Sequence, residues 1–281
     1  MRWTGCRCSQ DQMDNSGSRA IERNFALDQI GNGPGQVLDI GPGPKPKVSM
    51  AAIERGFDVV AVDMEPIRQE WVMAYTLKGD RKFEWGFVKN KLPEGQGALL
   101  DIGPAPGDPK PSRIAADRGW SVTAVGLEEP FRRLPEQRFT FLQGDFNLVD
   151  LAPKSFDWIL NISTIEHFGL AGRYGVTEMS EGDDLRGMAK ARTLLKPEGR
   201  MLLTIPVGQD AVFVPRHRVY GPKRLPLLLA GWQVLTAEYY GKFDGRDEYV
   251  LCTRKEAYQI EPHIEPSSFY GLGLFVLAVD G

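Results

Sequence analysis

The sequence predicts an α/β protein, a largely parallel sheet with helices on both faces. Three observations predict it. Ala98–Pro130 reads as strand, glycine-containing turn, helix, strand and acidic end. Val37–Pro66 runs through the same signals in the same order. From Ala98 onward, short apolar runs alternate with helical patterns, as in sheets covered on both faces.

The elements follow in chain order. Met1–Ser18 is polar and aperiodic and is expected to be a flexible tail. Arg19–Ile30 has apolar residues at Ile21, Phe25, Leu27 and Ile30, which suits a short amphipathic helix. The first βαβ stretch, Val37–Pro66, shares Leu-Asp-Ile-Gly-Pro, Ala-Ala and Arg-Gly-aromatic with the second, which reads as an internal duplication. Helices are expected at Ile67–Leu77 and Phe83–Leu92. In the second stretch Ala98–Leu100 ends on Asp101, and Gly103-Pro-Ala-Pro-Gly107 supplies small residues where backbone approaches a ligand. Ser112–Arg118 follows as a helix whose first N–H groups face that turn, and Val122–Val125 returns as a buried strand.

Further strands are expected at Phe139–Gln143, Phe156–Asn161 and Arg200–Ile205, the last ended by Pro206. Ser163–Leu170 is a turn or short helix carrying Glu166 and His167. Asp183–Leu195 reads as a helix, stopped by Lys196–Gly199. A helix near Lys223–Leu229 is expected in a long connection, and Gln233–Tyr240 and Gly271–Val279 are expected to close the sheet as a hairpin pair. The expected division is a tail at 1–18, a partial repeat at 19–92 and a main domain at 93–281.

Composition narrows the functional classes. A net charge of −3 leaves no electrostatic footprint for nucleic acid. The strongest apolar run, Leu272–Val279, is too short to span a bilayer, and the N-terminal residues lack a signal-peptide pattern. The cysteines Cys6, Cys8 and Cys252 fit a reducing compartment, so a cytoplasmic location is expected. No cysteine or histidine pair completes Cys6-x-Cys8 as a metal site, and no metal is expected.

Four stretches carry a family resemblance: Leu100–Gly107, Phe141–Phe146, Ser155–Phe168 and Leu194–Pro206. In this order and spacing, from about Gly95 on, the chain resembles the class I S-adenosylmethionine-dependent methyltransferases. Asp184–Trp232 looks like a poorly characterised bacterial branch of that family, several of whose members sit among cell-surface polysaccharide functions. The resemblance implies a Rossmann-like methyltransferase sheet, here preceded by a partial βαβ duplicate, with S-adenosylmethionine as cofactor. It implies that Asp101 orders the turn, and that Gly103, Ala105 and Gly107 border the methionine part. Asp145 and Phe146 would flank the adenine, and Asn161 would line the floor.

Two positions depart from the family pattern. Ala105 stands where glycine is usual, and Gly126 stands where an acid normally binds the ribose hydroxyls. Glu128, two residues on, is the substitute. The first copy has the better residues, Asp39, Gly41, Gly43 and Asp63, but lacks the downstream strands. A hydroxyl acceptor needs its proton removed, and a histidine suits that task. His167 is the expected base, oriented by Glu166 or Asp145, and His217 and Tyr220 are the expected substrate contacts. The predicted activity is methyl transfer to a small molecule or sugar at oxygen. The alternative is a non-catalytic binding or regulatory protein on the same fold. A nicotinamide enzyme is disfavoured because neither copy has the full Gly-x-Gly-x-x-Gly turn.

Overall fold

The computed structural model describes residues 36–40 and 58–62, the backbone alone, and 80–105, 109–130, 137–172, 174–243, 248–265 and 268–279. The expected tail, the helices at Arg19–Ile30 and Ile67–Leu77, and Gly107 lie outside the described residues. The chain forms two compact units, Met1–Lys78 and Gly79–Gly281.

In the first unit β1 (Gln36–Ile40) and β2 (Asp58–Val62) pair in parallel, with Leu38 opposite Val60 and Asp39 opposite Ala61. The second unit opens with α1 (Asp80–Lys91), which packs against later elements of its own unit. Then come β3 (Ala98–Ile102), α2 (Lys110–Asp117), β4 (Ser121–Gly126), β5 (Phe139–Gln143) and β6 (Phe156–Ile162). A single 3-10 turn, Ile165–His167, precedes α3 (Asp183–Leu194) and β7 (Leu195–Val207). A β8–β9 ribbon (Ala211–Phe213, His217–Val219), α4 (Arg224–Leu228), β10 (Trp232–Gly241), β11 (Val250–Cys252), α5 (Arg254–Ala257) and β12 (Gly271–Val279) complete the unit.

Eight strands form one Rossmann-like sheet in the order β11-β10-β12-β7-β6-β3-β4-β5. The five from β7 to β5 are parallel, and β12, β10 and β11 add antiparallel pairings. β3 and β4 pair with Leu100 opposite Thr123 and Asp101 opposite Ala124, the same positions that pair in β1 and β2. The strands alternate between two buried layers. Leu99, Leu160, Leu202 and Leu274 meet Phe87 and Val88 of α1 and Ile114 of α2. Leu100, Ile159, Leu203 and Phe275 meet Met188 and Leu194 of α3 and Leu225 of α4. Near-continuous apolar runs are therefore what a sheet covered on both faces requires.

Several boundaries differ from the sequence reading: α1 starts at Asp80 rather than Phe83, and β7 starts at Leu195, so Lys196–Gly199 lies within the strand. β7 runs through Pro206 to Val207, because Pro206 needs no N–H there and its carbonyl accepts from Tyr220 N–H at 3.0 Å. Gln233–Tyr240 and Gly271–Val279 do pair, but with β11 and α5 between them in the chain.

Candidate active site

From β3 the chain steps to β4 and β5 on one side, then returns to β6 and β7 on the other. That reversal opens a crevice beyond the carboxyl ends of β3 and β6, where ligands of such sheets bind. A cleft of about 300 Å³ lies there, at the lower end of small-molecule sites.

The turn after β3 forms its floor. Asp101 is buried and accepts a hydrogen bond from the Ser112 hydroxyl, which ties the strand end to the first turn of α2. Burial pushes its carboxyl up to about 6, against the pull of that hydroxyl. Gly103 has φ +71° and is held on both sides. Its N–H donates to Val125 O at 2.8 Å, and its carbonyl accepts from Thr164 Oγ1 at 3.1 Å. A Cβ here would overlap the Thr164 methyl group. Gly103 therefore keeps bare backbone against the cleft at the switch point. Ala105 also lines the cleft.

Gly126 ends β4. A Cβ there would lie 3.3 Å from Pro104 Cδ and 3.5 Å from the Phe141 ring, so the turn and β5 crowd that place. Glu128 lines the cleft together with Gly126 and Leu127. Gly144 N–H to Gly126 O at 2.9 Å, and Gln143 Nε2 to Leu127 O at 3.1 Å, lace this segment to the end of β5. Asp145 and Phe146 line the same wall. Asp145 Oδ1 accepts the Asn147 N–H at 2.8 Å, so one carboxylate oxygen serves the local turn. Phe146 is buried, packs 6.2 Å from the Phe168 ring and lies 5.1 Å from Lys190 Nζ.

The opposite wall comes from α1, the β6 turn and the loop after it. Arg81, Trp85, Ser163, Thr164, His167, Phe168 and Tyr174 line it. His167 Nδ1 contacts Arg216 O; a carbonyl only accepts, so Nδ1 carries a proton, and in the neutral ring Nε2 then carries the lone pair. The backbone carbonyl of Arg216 is thus one orienting partner of the ring. Glu166 is buried behind the lining, with Oε1 3.8 Å from His167 Nε2. Burial, its largest influence, pushes its carboxyl up to about 8, leaving it uncharged at neutral pH.

Three expected contacts lie outside the lining. Asn161 is fully buried, and its Oδ1 accepts Ile165 N–H at 3.0 Å, which caps the 3-10 turn. Tyr220 is buried and donates to Asp184 Oδ2 at 3.0 Å, and His217 packs its ring 5.1 Å from Tyr270. Tyr220 and His217 are drawn inward because the connection after β7 folds back as the β8–β9 ribbon against the sheet. The buried Arg218 lies between them. It donates to Phe168 O and to Ser180 O (3.2 Å), bracing the loop that carries His167. Arg81 and Trp85 join the lining although no sequence motif marks them. They stand one helical turn apart, on one face of the helix before β3.

The family described as Caenorhabditis protein of unknown function, DUF268, matches residues 145–260. A search of curated proteins finds no match. Solved structures that resemble the chain include several methyltransferases. One is the Burkholderia thailandensis 1,6-didemethyltoxoflavin-N1-methyltransferase, with bound 1,6-didemethyltoxoflavin and S-adenosylhomocysteine. It is 18% identical, covers 75% of this chain and 84% of its own, and has a TM-score of 0.48. A Haemonchus contortus phosphoethanolamine-type N-methyltransferase, in complex with phosphomonomethylethanolamine and S-adenosylhomocysteine, is 16% identical over 76% of this chain and 58% of its own, TM-score 0.49. The CcbJ methyltransferase of Streptomyces caelestis is 14% identical over 70% and 89%, TM-score 0.44.

Proposed function

We propose that the protein is an S-adenosylmethionine-dependent methyltransferase acting on a hydroxyl of a small molecule or saccharide. The observation that supports this reading most is one cleft, at the reversal of strand order, lined by both the bare Gly103 turn and the His167 ring. The cofactor supplies a methyl group already activated by positive charge on sulfur. The chain has to hold, orient and exclude water. Asp101, Gly103, Ala105, Asp145 and Phe146 would hold the nucleoside and methionine parts. Glu128 would take the ribose hydroxyls in place of the acid that Gly126 lacks. His167 Nε2 is the proton acceptor, its ring fixed by the Arg216 carbonyl.

The crowding at Gly126 favours a second reading, a methyltransferase-fold binding protein with a weakened cofactor site. Calorimetric titration with S-adenosylmethionine separates that protein from one that does not bind at all. His167→Gln then separates the two readings. In an enzyme, turnover of a hydroxyl acceptor falls about 10²–10⁴-fold with cofactor affinity unchanged; in a binding protein neither changes. The matched register of β1–β2 and β3–β4 supports duplication of the βαβ stretch. A cytoplasmic site of action belongs to the same proposal; among the described residues no helix is long and apolar enough to cross a membrane.

A further inference from the structure

We propose that Arg81 and Trp85, one turn apart on α1, form a carboxylate-binding subsite on the α1 wall of the cleft. This rests on the methyltransferase reading for the identity of the neighbouring ligand, and on the following geometry for itself.

Both side chains line the cleft. The Arg81 guanidinium has five N–H donors, and one of them, on Nη1, goes to Glu84 Oε2 at 3.0 Å. Its side chain is 37% exposed, so the rest of the fork is within reach of a ligand. Glu84 is fully buried and is held by two further donors, the hydroxyls of Ser163 and Thr204, the latter at 2.7 Å. It therefore anchors the stem of the fork without consuming it. Asp80 is also engaged, by Arg81 N–H at 2.8 Å and Tyr270 hydroxyl at 2.9 Å. Glu166, the third acid near Arg81, is uncharged up to about pH 8, because burial disfavours its ionised form. Trp85 Nε1 is a buried donor with no hydrogen-bond partner among the described residues. A buried N–H left without an acceptor is uncommon and costly, and a ligand acceptor accounts for it.

Two directed planar donors, the guanidinium fork and the indole N–H, suit a carboxylate better than a phosphate, since acids of the chain surround the site and the local charge is not strongly positive. The carboxylate has two possible sources: the methionine end of the cofactor, next to Gly103 and Ser163, or an acidic methyl acceptor.

The experiment is calorimetric titration of the full chain with 5′-methylthioadenosine, S-adenosylhomocysteine and, in the presence of the latter, benzoate. Arg81→Met is expected to lose about 10- to 100-fold in affinity for one carboxylate probe, with methylthioadenosine affinity unchanged. Methylthioadenosine binding also reports that the variant is folded, and Arg81→Lys, which keeps the charge beside Glu84, backs up that control. Loss confined to S-adenosylhomocysteine assigns the subsite to the cofactor; loss confined to benzoate assigns it to the acceptor. Trp85→Phe, which removes only the donor, is expected to weaken the same probe several-fold. Equal loss for S-adenosylhomocysteine and methylthioadenosine, or no loss for any probe, overturns the subsite. If neither nucleoside binds the parent while benzoate binding still depends on Arg81, the subsite stands and the methyltransferase reading falls.

Discussion

Replacing Gly103 by alanine tests the turn on which the site is built. Two costs follow from the geometry. At φ +71° an L-residue loses about 1–2 kcal/mol relative to glycine. The added Cβ would overlap Thr164 Cγ2 and lie 2.8 Å from Thr164 Oγ1, so Thr164 must move. The one hydroxyl proton of that side chain is shared between Gly103 O at 3.1 Å and Ile162 O at 3.2 Å, and the bond is worth about 0.5–1.5 kcal/mol. The total centres on about 2.5 kcal/mol, or a fall in Tm of roughly 5–10 °C for a unit of this size. Urea denaturation measures the stability loss, and titration with S-adenosylhomocysteine measures the lost fit. Adding Thr164→Ser removes the overlapping methyl group and is expected to restore the clash component but not the backbone component. An alanine variant within about 0.5 kcal/mol of the parent, with unchanged ligand affinity, would refute the reasoning.

Glu128→Ala is expected to weaken nucleoside binding about 10- to 100-fold, while Asp63→Ala leaves it unchanged; the opposite outcome, by calorimetry, assigns the cofactor to the first copy. A chain starting at Gly79 is expected to fold cooperatively, whereas one starting at Gly95 loses Phe87, Val88 and Leu92 from the core and buried Glu84 from beneath Ser163; thermal unfolding of both fragments tests this. Glu166 binds a proton more tightly folded (about 8) than at its ordinary 4.5, so its contribution to stability is complete below about pH 4.5 and declines as pH rises to about 8. The decline is at most about 1.4 kcal/mol per pH unit, and Glu166→Gln is expected to flatten the stability profile between pH 6 and 8, where Asp101 has already ionised.

The sheet was legible because its signals are local and repeated. Leu100-Asp101-Ile102 and Val122–Val125 are runs that only a doubly covered parallel strand would bury, and they pair as expected. Gly103, Ala105, Asp145, Phe146 and His167 share the cleft for a related reason: each lies within five residues of a strand end, and strand ends converge at the reversal point. The α1 wall was not legible. Arg81 and Trp85 reach the cleft through the packing of a helix that precedes the strands it covers, and no local pattern encodes that distance. His217 and Tyr220 were misplaced because a polar, proline-rich connection reads as a surface loop. What pulls it inward is Asp184, a buried acid on α3 that takes Arg224 Nε at 2.9 Å as well as the Tyr220 hydroxyl. Neither end of that network is recognisable without the other.

The position of β12 between β7 and β10 also governs the order of assembly. β10 and β11 are synthesised before β12, yet among the described residues β12 alone pairs them, as a strand, with the parallel strands. Until residues 271–279 leave the ribosome, β7 presents Leu203, Ile205 and Val207 along an open backbone edge, and β10 presents another. Both edges are templates for pairing with a second nascent chain. The contact that removes them brings Leu272 to Pro206 and Leu277 to Met201, across a long loop whose closure is slow. The half-made sheet is therefore the stage at which this protein is most exposed to aggregation, and a holdase acting there has a defined strand to shield.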